Sequence, residues 1–363
     1  MGLVIRRLVL RNFRNYESFQ LEPDPILTVL VGPNATGKTN IVEATQLLTA
    51  GASFRRPQWA DVVMWGKEEC SLSLRAEGDG RMLETELTVS GIGRRVYRVN
   101  GKVRRRVSEV AGILPCVVFT PDDLRLVKDS ADRRRSAIDG VGDQLSPVYL
   151  AVRTEYERVV RQRNALLKQT PSDLSVLDTL TEKLATSGFA FAGHRRRLFE
   201  RISSRMSEAY FTLAGGEILK ARYVFSWERK GSPSGNPESA SELANIIRSC
   251  QSDELSRGTT LVGPHRDEVL FSVGGRDARA FASQGQQRTI ALAWKLAEVR
   301  VISEIAGQAP VLLLDDVMSE LDETRREALM SFVGKAAQTF LTTTNIGYFD
   351  ASLIDRAKVV RLG

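Results

Sequence analysis

The stretch Gly32-Pro33-Asn34-Ala35-Thr36-Gly37-Lys38-Thr39 constrains this chain more than any other. It fits the pattern of Gly, four residues, Gly, Lys and then Ser or Thr, in which a loop between a strand and a helix cradles phosphate. The apolar, β-rich run Ile26 to Val31 precedes it, and Thr39 to Thr49 reads as a helix after it. Backbone N–H groups of the loop and of the helix N-terminus then face the β- and γ-phosphates of a nucleotide. The Lys38 ammonium reaches the same oxygens, and the Thr39 hydroxyl can ligate Mg²⁺.

The 363 residues have room for two or three compact units, or for one large α/β domain with an insertion. A hydrophobic fraction of 42% suits a globular core and excludes general disorder. No apolar run nears the roughly 20 residues needed to span a bilayer, and the N-terminus lacks the apolar core of a signal peptide. A soluble, cytoplasmic protein with no membrane partner is expected. Cys70, Cys116 and Cys250 are widely scattered, which fits neither a disulfide framework nor a metal site. Lys and Arg outnumber Asp and Glu by 51 to 44, an excess that permits a nucleic-acid partner without requiring one.

Along the chain, Leu3 to Phe13 and Tyr16 to Leu21 read as paired strands across an Arg14-Asn15 turn. From Cys70 to Val107 several short β-like runs follow one another, with Asn100-Gly101 as a hairpin turn, which points to an antiparallel β-subdomain beside the P-loop sheet. Cationic runs crowd this half: Arg55-Arg56, Arg94-Arg95, Arg104-Arg105-Arg106 and Arg133-Arg134-Arg135. Each alone reads as a solvated face; together they suggest a phosphate-binding surface, with Arg55, Arg56, Arg104, Arg105 and Arg106 as candidate DNA contacts. Helical spacing from Pro147 to Leu167 and from Leu177 to Tyr210, separated by Pro171-Ser172-Asp173, predicts a helical arm, on which Arg195-Arg196-Arg197 is a further basic run. Ala221 to Trp227 is expected as a strand, Gly231 to Pro237 as a loop, Leu243 to Cys250 as a helix, and Thr259 to Val262 as a strand entering a sharp turn before another strand, Val269 to Val273.

Val311-Leu312-Leu313-Leu314-Asp315-Asp316 is a buried-type strand ending in two carboxylates. A parallel strand presents its C-terminal end at the ligand crevice, so Asp315 is placed to hold the metal, directly or through water, and Asp316 to orient or deprotonate an attacking water. Ser283-Gln284-Gly285-Gln286-Gln287-Arg288 precedes a helical run from Thr289 to Ile305. Ser283 and Gly285 at a helix N-terminus form a second anion cradle. One P-loop needs a single cradle, so the second is expected to act on the nucleotide of another subunit, with two ATP molecules sandwiched in a dimer.

These elements, with Ser319-Glu320-Leu321-Asp322, resemble an ABC-type ATPase of the SMC kind. In detail the chain resembles the RecF family of recombination mediators. The resemblance is carried by Leu8 to Tyr16, by the P-loop with Asn40 after it, and by Gly263-Pro264-His265-Arg266-Asp267. It continues at Leu313-Leu314-Asp315-Asp316-Val317-Met318-Ser319-Glu320-Leu321-Asp322 with Arg325 and Leu329, so it covers nearly the whole chain. It implies an ABC-type ATPase head, with a P-loop mixed sheet, an antiparallel β-subdomain and an inserted helical arm. The expected division is 1–145, 146–255 for the arm, and 256–363. By resemblance, Asn40, Gln286 and Asp322 join Gly32 to Thr39, Ser283 and Gly285 around ATP and Mg²⁺, with Lys38 and Asp316 as the catalytic pair.

The resemblance further implies an ATP-dependent homodimer on duplex DNA near gaps, RecO and RecR as partners, and RecA loading as the outcome. Pro121-Asp122-Asp123-Leu124 fits the family, but Asp129 and Ala131 stand where it has Gly and Pro, and Ser136-Ala137 replaces a bulkier pair. No histidine follows Thr342-Thr343-Thr344, where many transport ATPases carry a switch histidine, so slow hydrolysis is implied. The departures leave an alternative, a RecF-like ATPase effector or scaffold, for example in defence, acting through a partner enzyme.

Overall fold

The computed structural model describes residues 2–169, 174–229, 237–333, 338–349 and 351–363. The chain divides into two compact units, residues 1–125 with 288–363, and residues 126–287. The second unit thus takes in residues 126–145 and 256–287 besides the 146–255 arm. The break at Pro171-Ser172-Asp173 and the loop at 231–236 lie outside the described residues.

In chain order β1 (Val4–Phe13), β2 (Tyr16–Leu21) and β3 (Leu27–Val31) lead to α1 (Lys38–Ala50). Then come β4 (Glu69–Gly78), β5 (Arg81–Ser90), β6 (Arg95–Val99), β7 (Lys102–Arg104) and β8 (Cys116–Phe119). The second unit begins with α2 (Ala131–Leu145), α3 (Pro147–Leu167), α4 (Leu174–Leu213), β9 (Leu219–Val224) and α5 (Ser226–Arg229). It continues through α6 (Ala240–Ser249), α7 (Gln251–Arg257), β10 (Glu268–Val273), β11 (Arg276–Asp277) and α8 (Ala278–Phe281) to the start of α9 (Gln284–Ala306). The chain closes with β12 (Val311–Asp315), α10 (Glu323–Phe332), β13 (Thr339–Thr343), α11 (Ala351–Ile354) and β14 (Lys358–Arg361).

Two sheets build the first unit. One is antiparallel in the order β2-β1-β4-β5-β6-β7, and the other is parallel throughout in the order β14-β3-β13-β12-β8. Their sequences differ as their burial demands. The antiparallel strands alternate, Cys70, Leu72, Leu74 and Ala76 of β4 pointing inward, whereas β3, β8, β12 and β13 are buried along nearly their whole length. A register shift between Ile5 and Arg7 lets Arg6 and Arg7 both face solvent without turning Leu8 and Leu10 out of the core. Helix α1 packs against strands of both sheets and buries Ile41, Val42, Ala44, Leu47 and Leu48. The hairpin at Asn100-Gly101 has both residues at positive φ, 49° and 74°, as that turn requires.

The second unit is assembled on α4, 40 residues and so about 60 Å long, against which α3, α6 and β9 pack. Three arginines lie inside it. Arg134 binds Glu268 and the carbonyls of Leu126, Val127 and Asp129; Arg195 binds both oxygens of Asp139 and the Pro264 carbonyl; Arg163 binds Glu254, Thr181 and Thr260. Arg135 donates to the Asp267 carbonyl at 2.6 Å. The runs containing Arg134, Arg135 and Arg195 therefore do not present continuous cationic faces.

Two strand expectations fail here for one physical reason, that side chains capture the backbone donors a ladder would use. Residues 259–262 are not a strand: Thr260 N–H donates to Asn164 and Leu261 N–H to Glu254. Strand β9 ends at Val224 because Ser226 N–H donates to the Asp267 carboxylate at 2.8 Å, so Trp227 falls in α5. The Gly263 to Asp267 block is an internal joint. Tyr156 Oη and His265 Nδ1 are 2.6 Å apart, and burial pushes the imidazole down to about 4, which keeps it neutral, with Nδ1 accepting and Nε2–H directed at the Thr260 carbonyl.

Arg163→Met leaves the fully buried Glu254 carboxylate without its counter-charge. The expected cost is about 3–5 kcal/mol of stability, read by chemical denaturation; a loss under about 1 kcal/mol would show that Glu254 is held by its backbone partner alone.

Candidate functional site

The parallel sheet sets β3 and β12 on either side of β13, with their C-terminal ends at one edge. The glycine loop leaves β3 there and enters α1 through Gly37, at φ 102°. A Cβ on Gly37 would lie 2.7 Å from the side chains of Asn15 and Tyr16, and one on Gly32 would lie 2.2 Å from the Leu362 carbonyl oxygen. The loop is therefore fitted closely around by its neighbours. Asn15 and Tyr16, in the turn between β1 and β2 and at the start of β2, both donate to the Thr36 carbonyl, at 3.2 and 3.3 Å. Pro33, Asn34 and Ala35 are exposed at the tip, with Ala35 at φ 67°, and Thr36 Oγ1 closes the turn on the Pro33 carbonyl.

Lys38 is largely buried, and its ammonium donates to the carbonyls of Gly32 and Pro33 at 2.6 and 2.7 Å, which holds it over the loop. Thr39 Oγ1 donates to Asp315 Oδ1 at 2.9 Å, and Thr342 Oγ1 of β13 donates to the same oxygen at 2.9 Å. Burial raises the Asp315 carboxyl above its ordinary value, and the two hydroxyls oppose that shift. Asp316 ends the strand in the left-handed region, φ 50°, its N–H donating to Thr342. Burial raises its carboxyl as well, and nearby Lys38 pulls it down. Its Oδ1 is buried with no hydrogen-bond partner among the described residues. A hydroxyl, two carboxylates and an orphaned carboxylate oxygen beside a fixed ammonium suit a hard cation riding on a polyphosphate.

Behind the loop stands a residue that the sequence reading passed over. Glu43, one turn after Thr39 on α1, is fully buried and accepts two bonds from Arg14, one from Arg55 and one from Ser53. Asn40 joins it by donating to Asn15 and accepting from Arg55 at 2.7 Å. Arg55, although exposed, thus spends its guanidinium on the P-loop helix, and Arg56 is exposed beside it. Arg105 and Arg106 are exposed too, on a turn whose N–H groups the Glu109 carboxylate holds, and Arg104 is half-buried. An acidic residue at the core-facing side of an otherwise apolar helix was the available signal for Glu43.

The second candidate cradle lies in the other unit. Helix α9 starts at Gln284, five residues ahead of the expected Thr289, because Ser283 and Gln286 cap each other: Gln286 N–H donates to Ser283 Oγ at 3.2 Å and Ser283 N–H to Gln286 Oε1 at 2.9 Å. Ser283 is exposed and Gly285 sits in the first turn. Asp322 caps α10 through the Arg325 N–H and pairs with the Arg325 guanidinium, which also donates to Thr289 at 2.8 Å.

The family model for the RecF/RecN/SMC N terminal domain matches residues 4–360. A DNA replication and repair protein RecF of Listeria welshimeri is 38% identical, over 97% of this chain and 96% of its own length. The chain belongs to the RecF family. A Synechococcus RecF is 38% identical over 99% of this chain and 96% of its own. A solved recombination mediator protein RecF with ATP, in the RecFOR pathway, matches at TM-score 0.87 and 30% identity, over 96% of this chain and 94% of its own. The Smc head domain from Pyrococcus furiosus, 18% identical with TM-score 0.55 over 99% and 93% of the two chains, shares the fold. The RecF fold here is thus the ABC-type ATPase head expected from the sequence. No described helix is long and apolar enough to cross a membrane.

Gly37→Ala places a methyl against Asn15 and Tyr16 at a positive φ. The expected cost is about 1–3 kcal/mol, with faster amide exchange at residues 15–16 and 32–39; unchanged exchange there would show that the turn does not brace the loop.

Proposed function

We propose that the chain is an ATP-switched DNA-binding factor of replication and recombinational repair, closing as a homodimer on duplex DNA near single-strand gaps. One observation carries the nucleotide part of this reading: the Thr39 hydroxyl and the Asp315 carboxylate, from the helix after the P-loop and from the strand ending in paired acids, are in direct contact. Thr39 and Asp315 would hold Mg²⁺, Lys38 with the loop N–H groups from Asn34 to Thr39 would bind the phosphates, and Asp316 would accept the proton of an attacking water. Bound ATP with Mg²⁺ supplies a polyanion that two protein surfaces can recognise at once, and a phosphoanhydride whose cleavage ends that recognition.

Ser283 and Gly285 of one subunit complete the cradle for the nucleotide on its partner, and Asp322 orders the loop beside it. Assembly draws on the binding energy of ATP, so hydrolysis is needed only for release and is slow. The exposed Arg56, Arg105 and Arg106 face DNA phosphates, and RecO and RecR act with the closed dimer to load RecA. The family resemblance and the RecFOR-pathway relative support the composite cradle and the RecO and RecR partners, and the exposure of the three arginines supports their role.

Lys38→Ala is expected to weaken nucleotide binding by about tenfold or more and to abolish ATP-dependent dimerisation in sedimentation or light scattering. Ser283→Arg is expected to block dimerisation while ATP still binds its own subunit; a Ser283→Arg protein that dimerises normally would refute the sandwich. Binding to gapped duplex DNA should require ATP and fall roughly a thousandfold between about 50 and 200 mM salt, as for a protein that neutralises six or more phosphates. DNA binding that ignores ATP or is missing altogether would favour an effector or scaffold acting through a partner enzyme.

A pH dependence follows from the raised carboxyls. Asp315 and Asp316 take up protons at a higher pH than an ordinary carboxylate, and protonation of Asp315 removes a metal ligand. Affinity for Mg–ATP should therefore decline as pH falls, starting above the usual carboxylate range near about 4. Titrations that stay flat down to about pH 4 would remove Asp315 from the metal site.

A further inference from the structure

The glutamine of the Ser283 cradle is held from behind. Gln286 uses its carbonyl on the Ser283 N–H, and its amide nitrogen donates to Glu217 Oε1 at 2.8 Å. The other oxygen of Glu217 accepts the Tyr210 hydroxyl at 2.6 Å, and Tyr210 is fully buried on α4. Glu217 reaches this position because α4 ends at two glycines in the left-handed region, Gly215 at φ 63° and Gly216 at φ 100°, which turn the chain back on the helix. All four residues belong to the second unit.

An amide that accepts at one end and donates at the other has a single orientation, since a half-turn would set N–H against N–H and carbonyl against carboxylate. Glu217 fixes which end faces Ser283. With that end fixed, Ser283 is tied at both its N–H and its Oγ, the Oγ accepting the Gln286 backbone N–H. Glu217 holds the amide nitrogen of Gln286 while Ser283 holds the carbonyl, so Glu217 acts on the serine through Gln286. We infer that Glu217 is a positioning residue for the phosphate cradle at the start of α9, acting through Gln286 on Ser283 and anchored by Tyr210. This inference rests on the composite-site reading above.

The test measures ATP affinity and the ATP-dependent dimerisation constant of the full chain in a double-mutant cycle. Glu217→Leu is expected to leave ATP affinity within about twofold and to weaken dimerisation by about tenfold, the scale of one charge-assisted hydrogen bond. Glu217→Gln, which keeps an acceptor, is expected to restore most of the loss. Glu217→Leu with Gln286→Ala should cost no more than Gln286→Ala alone, because the pair acts as one unit. A merely structural Glu217 would instead give losses that add and that track the melting temperature. Additive losses, or a Glu217→Leu protein that dimerises like the parent, overturn the inference while leaving the sandwich standing. A parent chain that fails to dimerise with ATP overturns both.

Discussion

One hydrogen bond, from the Thr39 hydroxyl to the Asp315 carboxylate 276 residues later, depends on the whole first unit being built correctly. The P-loop strand and the acid-bearing strand are not neighbours; β13 lies between them and supplies the Thr342 hydroxyl that steadies the same carboxylate. Three strands distant in sequence must run in the same direction for these groups to meet at one edge. The rear of α1 is fixed with equal care. Glu43 gathers Arg14, Arg55 and Ser53 beneath the loop, so the direction of the helix, and with it the position of its N-terminal N–H groups, is set by a fully hydrogen-bonded buried charge.

The second unit uses charge differently. Arg134, Arg163 and Arg195 each lie buried against an acid, and each spends its remaining N–H groups on carbonyls or hydroxyls. A guanidinium has five donors in a rigid fork, so one side chain can tie three segments at fixed angles where a lysine would bind as a point charge. Buried pairs of this kind specify geometry more than they stabilise, because desolvation cancels much of the attraction. Arg134, Arg163 and Arg195 are thus interior ties of the second unit, whereas Arg56, Arg105 and Arg106 of the first are exposed.

Much of this was legible in the sequence, and the reason can be given residue by residue. Continuous apolar runs identified β3 and β12, alternation identified β1, short β-like runs marked the strands from Cys70 onward, and the loop between β3 and α1 announced itself by glycines at fixed spacing. These signals are local. The unread parts are contacts between residues far apart in the chain: a basic run such as Arg133 to Arg135 looks solvated until Glu268 is brought under it, and a Thr-rich apolar stretch such as Thr259 to Val262 looks like a strand until Asn164 and Glu254 take its N–H groups. One miss was local and avoidable. Ser283 and Gln286 stand three apart, the spacing of a capping box, which places the start of α9 at Gln284.

That capping box also explains why the residue at 286 is a glutamine. A glutamate there would accept the Ser283 N–H equally well, and in helix N-termini the two are interchangeable. Here it would set its second carboxylate oxygen against Glu217 and add negative charge beside Ser283, the serine proposed to meet phosphate. An alanine would end both contacts. Among the common side chains of this length, the amide alone accepts toward Ser283, donates toward Glu217 and carries no charge. The glutamine in the first turn of the helix is therefore chosen by what stands on either side of it, and the start of α9 serves at once as a helix cap and as the link between the buried end of α4 and an exposed serine.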